Sequence, residues 1–150
     1  MKVALLLLVG LVAVAMLYVR LAPTTEDAWH VDPDAAGDPG EAGILIRSDD
    51  ARAPAGRADR LLARLDAVAM ATPRTRRIAG SLGEGRITYE TRSLLWGFPD
   101  YTTVQLVPQA DGTARLAILA RLRFGRSDLG VNGKRVAGWL AALEAAPEAG

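Results

Sequence analysis

The sequence predicts an α+β fold: a two-layer domain with an antiparallel sheet of about four to five strands and two amphipathic helices on one face, preceded by an N-terminal transmembrane helix. Three observations predict it. The hydrophobic period changes along the chain from helical to alternating and back to helical. The alternating segments follow one another through short turn sequences, which makes neighbouring strands antiparallel. Residues 3–19 form an uncharged, largely apolar run between Lys2 and Arg20, with the length and composition of a membrane span.

As a helix rising about 1.5 Å per residue, that run crosses most of a ~30 Å hydrocarbon core. Snorkelling of Arg20 extends the usable span to Ala22. The competing reading is a cleaved signal peptide, because Lys2 supplies a positive n-region and Ala13-Val14-Ala15 has the small-x-small form of a cleavage site. Cleavage there would strand the apolar Met16-Leu17-Tyr18-Val19 on the mature N-terminus, so a retained single-pass anchor over residues 1–22 is expected. Lys2 and the free amino group against Arg20 favour the tail inside and the domain outside. In a bacterium this places an inner-membrane protein with its domain in the periplasm. The alternative is secretion to the periplasm after cleavage.

Residues 23–50 carry eight acids against Arg47 alone, with Pro and Gly scattered through them, and read as an acidic, mostly irregular lead-in. The exceptions are Trp29, in AWHVDP, and Ile44-Leu45-Ile46, which are expected to dock on the domain as a staple and a short strand. From residue 51 to 150 the balance reverses to 15 bases against 9 acids. Apart from Lys134 these bases are arginines in a chain rich in Ala and Gly, which GC-rich codon usage explains. Only arginines at particular structural positions therefore count.

Residues 57–71 place Leu61, Leu65, Val68 and Ala69 on one helical stripe with Leu62 beside it, ended by Pro73. Residues 74–79 and 86–93 read as strands around the Gly-rich SLGEG turn, and Ile87, Tyr89 and Thr91 alternate with Thr88, Glu90 and Arg92. Residues 101–107 and 113–124 form the next pair, joined through Asp111-Gly112, a strong hairpin signal. On the last strand Leu116, Ile118, Ala120, Leu122 and Phe124 share one face, and Arg115, Leu119, Arg121 and Arg123 the other. Beyond Asn132 the helical period returns through Val136, Leu140 and Leu143 beside Trp139, and Pro147 is expected to stop it. With both helices on one face, the other face of the sheet must be polar, covered or functional.

Composition excludes several classes of function. There is no cysteine, which removes disulfides, thiolate metal sites, thiol nucleophiles and a lipid-modified cysteine anchor. One histidine, His30, removes a His-rich metal site, and no acid spacing suggests a metal or a cofactor. With 18 Lys plus Arg against 17 Asp plus Glu, the chain lacks the charge of a dedicated nucleic-acid binder.

Two constellations remain. The first joins the last strand to the last helix, RLRFGRSDLGVNGKR. Its bland reading is a capping device, with Asp128 or Asn132 accepting free helix N–H groups and Arg126 pairing with Asp128. Its functional reading starts from Lys134 and Arg135 in the first helical turn, where the dipole disfavours cations. With Arg121, Arg123, Arg126, Ser127, Asp128 and Asn132 nearby, a phosphate, carboxylate or lipid headgroup would suit that site. The second constellation, YETRSLLWGFPDY, crowds Leu94, Leu95, Trp96, Phe98 and Tyr101 around a Gly-Pro turn. It reads either as core closing the end of the sheet or as an exposed apolar lip of Trp96, Phe98 and Tyr101, suited to a membrane surface, an acyl chain or a partner. The basic TPRTRR stretch reads as solvated surface.

At Arg123, Gly125, Ser127, Asp128, Gly130 and Asn132, with Arg135 following, the chain resembles the bacterial and plant family called domain of unknown function 1499. The resemblance continues through Thr91-Arg92-Ser93, Gly97-Phe98-Pro99-Asp100, Pro73-Arg74 and the Trp-x-x-Asp-Pro lead-in at Trp29, covering most of residues 29–145. Relatives tend to carry serines in the last strand where this chain has Ala120 and Leu122, so any ligand contact of those hydroxyls is missing here. The resemblance supports the fold and the motif and implies no reaction.

The leading expectation is a membrane-anchored, non-catalytic envelope domain that binds an anion or lipid headgroup at the strand-to-helix junction. The alternative is a scaffold or accessory subunit that meets an envelope partner through the lip and the anchor. A third reading, a hydrolase using Ser127 and Asp128, requires His30 or a deep acid at that junction, because the sequence displays no Gly-x-Ser-x-Gly elbow or other base.

Overall fold

The computed structural model describes residues 1–145, so Pro147 and its expected helix stop lie outside the described residues. The elements are α1 (Lys2–Leu21), the one-turn α2 (Glu26–Trp29), β1 (Gly43–Ile46), β2 (Ala55–Arg57), α3 (Leu61–Ala71), β3 (Thr75–Ser81), β4 (Arg86–Arg92), β5 (Pro99–Pro108), β6 (Thr113–Leu122) and α4 (Val131–Ala145). Strands β3 to β6 form an antiparallel meander through short turns, as the turn residues dictate. β1 and β2 lie end to end along the remaining edge of β6, completing an open antiparallel sheet in the order β1-β6-β5-β4-β3. The architecture is the α+β fold that the periodicities predict.

Ile44-Leu45-Ile46 docks as expected, and Gly43 explains how β1 comes so close. A Cβ at Gly43 would sit 1.9 Å from the Ala120 carbonyl oxygen, so a side chain there would push the strand away. Strands β3 and β5 run a residue or two beyond the sequence reading, and two other boundaries differ for a clear reason. The first domain helix starts at Leu61 rather than Arg57, because Arg57 pairs with Thr113 as the end of β2, a strand too short to show a period. The last strand ends at Leu122, and Arg123 and Phe124 leave the ladder.

The core lies between the helices and one face of the sheet. Ile87, Tyr89, Val104, Leu116, Ile118 and Ala120 pack against Leu61, Leu62, Leu65 and Ala69 of α3 and Val136, Trp139 and Leu143 of α4. Each of the larger side chains contributes about 1.5–3 kcal/mol before entropy is subtracted. Two polar groups inside the core are matched, while the buried Thr102 hydroxyl has no hydrogen-bond partner among the described residues. The Trp139 indole N–H donates to Thr72 Oγ1 at 2.8 Å. Asp66 sits off the apolar stripe in the sequence, yet it is buried, because the Tyr89 hydroxyl (2.9 Å) and Arg77 Nε (2.6 Å) reach its carboxylate. Burial, with Asp66 beside it, pushes the Tyr89 hydroxyl far above its ordinary pKa.

α1 is a 20-residue apolar helix with no buried residue and a mean hydropathy of 2.5, which suits either a membrane span or a signal sequence. Its last turn reaches the end of the sheet where β4 and β6 finish and β5 begins, marked by the pairs Arg92–Pro99 and Asp100–Leu122.

Candidate functional site

The face of the sheet opposite the helices is covered by the lead-in. Alternation on β6 aims Arg121 at that face, and Arg123 follows it beyond the strand's end. There the Trp29 ring stacks on Tyr101 with centroids 4.1 Å apart, and the Arg121 guanidinium lies 4.9 Å from the Trp29 centroid. Arg121 donates to the carbonyls of Ala28 (3.3 Å) and Trp29 (3.4 Å). Arg123 donates to the carbonyls of Pro23 (2.8 Å) and Ala22 (3.3 Å) and to the Tyr101 hydroxyl (3.3 Å). A hydroxyl chain continues the fastening: Thr103 gives its hydrogen to the Trp29 carbonyl at 2.7 Å, so Thr88 must give its own to Thr103 at 2.9 Å. His30 Nδ1, 2.9 Å from Thr88 Oγ1, therefore carries the proton of that contact. The aromatic staple expected at Trp29 is thus a structural lock.

The strand-to-helix junction is shaped by Asp128. Its two carboxylate oxygens accept the N–H groups of Gly130 and Asn132, both at 2.8 Å, at the start of α4. Burial alone would raise its pKa, but these N–H groups and the nearby Arg135 outweigh it and hold Asp128 below the ordinary carboxylate value. Leu129 and Gly130 adopt positive φ (53° and 77°) to make the turn. Asn132 is fully buried and bonds Arg135, whose guanidinium also reaches Asp100 at 3.4 Å on the helix side of the sheet. Burial pushes the Asp100 carboxyl above its usual value, against the pull of Arg135.

The structure therefore divides the seven residues of the expected anion site. Arg121 and Arg123 hold the lead-in on one face of the sheet, and Asp128, Asn132 and Arg135 build the cap and the helix side. Arg126 and Ser127 stand on the exposed loop between them. Among the described residues Arg126 forms no ion pair with Asp128, because the helix N–H groups occupy that carboxylate. Ser127 Oγ accepts the Leu129 N–H at 3.3 Å, and the sole histidine is engaged on the opposite face with Thr88. The deep acid nearest the junction, Asp100, is paired with Arg135. Among the described residues no group of three His, Asp or Glu side chains could hold a metal.

The second constellation also divides. Tyr101 is 1% exposed beneath Trp29, whereas Leu94 (77%), Leu95 (69%), Trp96 (42%) and Phe98 (38%) stand out from the β4–β5 turn. Leu129 and Val131, from the junction at the same end of the sheet, are also exposed. Rings link this rim to α1: Trp96 to Phe98 (6.3 Å), Phe98 to Phe124 (6.2 Å) and Phe124 edge-on to Tyr18 (6.4 Å). Arg20, at the end of α1, donates to the Leu95 carbonyl at 3.3 Å. Gly97, at φ 74°, lets the turn pass this close: a Cβ there would lie 3.1 Å from the Arg20 side chain. The sequence identified the apolar turn, but the partnership of Tyr18, Arg20 and Phe124 with it depends on the path of the chain.

No curated protein matches this chain. A family model described as protein of unknown function (DUF1499) matches residues 32–143, which includes the sheet side of the lock, the exposed turn and the capped junction. With that match over most of its length, the chain belongs to the DUF1499 family of proteins of unknown function.

Proposed function

We propose that this protein is a single-pass inner-membrane protein whose non-catalytic α+β domain faces the periplasm and rests, rim down, on the bilayer surface. The observation that carries this reading is the missing linker. α1 ends at Leu21, Ala22 and Pro23 already bind Arg123, and the last turn of α1 touches the exposed rim. If α1 spans the bilayer, the domain has no slack to rise from it, and Leu94, Leu95, Trp96 and Phe98 meet the headgroup region at the depth of Tyr18. Aromatic side chains beside an Arg are the composition that settles at that depth. Retention of the anchor, rather than signal cleavage, is part of this reading.

The test reconstitutes the full-length chain in vesicles that contain brominated phospholipid and reads tryptophan emission. Trp139 is buried and Trp29 is stacked on Tyr101 against the sheet, so Trp96 is the tryptophan placed for contact with lipid. Quenching is expected, and Trp96→Phe is expected to remove most of it. The same exposed rim also suits the scaffold reading, in which it meets a protein partner. Unquenched Trp96 in the reconstituted chain would overturn the docked reading in favour of that one.

A further inference from the structure

A cleft of about 640 Å³ lies between the last turn of α1 and the β3–β4 edge, lined by Arg20, Arg74, Arg76, Glu90, Arg92 and Leu94 among others. The sequence assigned Arg74 and Arg76 to solvated surface, but the fold gathers them with two arginines from distant segments. Glu90 is 1% exposed and is held by Arg76 Nε at 2.6 Å and Arg92 at 2.7 Å. One carboxylate thus faces four guanidinium groups, leaving three positive charges uncompensated in the lining.

The donors of this cleft are only partly used. Arg92 is engaged with Glu90 and with the Gly97 carbonyl at 3.0 Å, which makes it a positioning residue. Arg76 spends Nε on Glu90, and Arg74 spends Nε on the Arg92 carbonyl at 2.9 Å. Among the described residues their terminal nitrogens have no hydrogen-bond partner. Arg74 is also held at φ 60°, a conformation a non-glycine residue seldom adopts, in a turn that ties it to the cleft. Arg20 brings a further guanidinium from the membrane side, and Leu94, 77% exposed, continues the cleft into the apolar rim.

We infer that this cleft takes the phosphate of an anionic phospholipid headgroup, with Arg20, Arg74 and Arg76 donating to its oxygens and Leu94 beside the glycerol and acyl end. Planar guanidinium forks suit phosphate oxygens, and the uncompensated charge disfavours a headgroup that also carries a quaternary ammonium. The inference rests on the membrane-docked reading above.

The test inserts the full-length chain into nanodiscs of mixed phosphatidylglycerol and phosphatidylcholine, releases it gently, and compares retained lipids by native mass spectrometry. Retention of phosphatidylglycerol beyond its share of the mixture is expected. The double variant Arg20→Gln, Arg74→Gln leaves the ion pairs of Glu90 intact and is expected to lower that preference roughly tenfold. Arg126→Gln removes a rim charge outside the cleft and is expected to leave the preference in place. If Arg126→Gln abolishes the preference as fully, or if the wild type shows none, the cleft is not a headgroup site. If soluble glycerol phosphate at millimolar concentration displaces the retained lipid completely, the phosphate site stands and the lipid source is overturned. Trp96 quenching separates the two proposals: quenching without headgroup preference sinks only the cleft, and absent quenching sinks the docked reading on which it rests.

Discussion

Asp128 does two jobs that one carboxylate can do only when ionised: each oxygen accepts a backbone N–H at the start of α4. Asp128→Ala is expected to cost about 1 kcal/mol at neutral pH. The pH dependence follows from the sign of its shift. Its folded pKa is depressed below the ordinary carboxylate value, so its contribution is present above that value and lost as pH falls through the folded one. Denaturant melts of wild type and variant at pH 7 and pH 3 should therefore show a gap that narrows in acid. A gap of equal size at both pH values would mean that the neutral acid caps as well as the carboxylate. The capping role was legible in the sequence because a cap bonds within four residues of itself. The roles of Arg121 and Arg123 were not, since alternation says which face a side chain joins but not what covers that face.

At the level of elements, the lead-in is the part whose packing its composition shows least, apart from the staple at Trp29. Its acids and prolines lack a hydrophobic period, yet α2 and the segments around it close one face of the sheet through Trp29, His30 and the carbonyls that Arg121 and Arg123 hold. Asp34 extends the fastening to Ser48, with bonds of 2.8 Å from its N–H and 2.6 Å from its hydroxyl. Trp29→Ala removes the stack on Tyr101 and the cation–π contact and is expected to cost about 2 kcal/mol. Hydrogen exchange should then accelerate in residues 22–34 while α3 and α4 stay protected. Acceleration throughout the domain would show that the lead-in belongs to one cooperative unit with the core. The helices and the meander were readable because their periods repeat over many residues. β2 was not, because its three residues acquire strand geometry only by pairing with β6.

For the whole molecule, one geometric fact organises the rest: the end of the apolar helix α1, the exposed rim and the arginine cleft share one end of the sheet, and the Asp111-Gly112 turn lies at the other. β5, with ten residues, separates the ends by roughly 30 Å. Asp111→Cys would be the sole thiol in a chain with no cysteine, so labelling it reports on the far end alone. In right-side-out spheroplasts a membrane-impermeant maleimide is expected to label it without permeabilisation. Labelling only after permeabilisation would place the domain in the cytoplasm. The apolar helix, the antiparallel α+β fold, the family and the cap can all be read from the residues alone, because each is written in a local period or a short motif. The fold alone shows that the arginines expected at one anion site divide between two faces, that the apolar turn lies beside α1, and that Arg20 joins Arg74, Arg76 and Arg92. Those neighbours lie up to 72 positions apart in the chain, between Arg20 and Arg92, and their meeting is set by strand order and chain path, which no local pattern encodes.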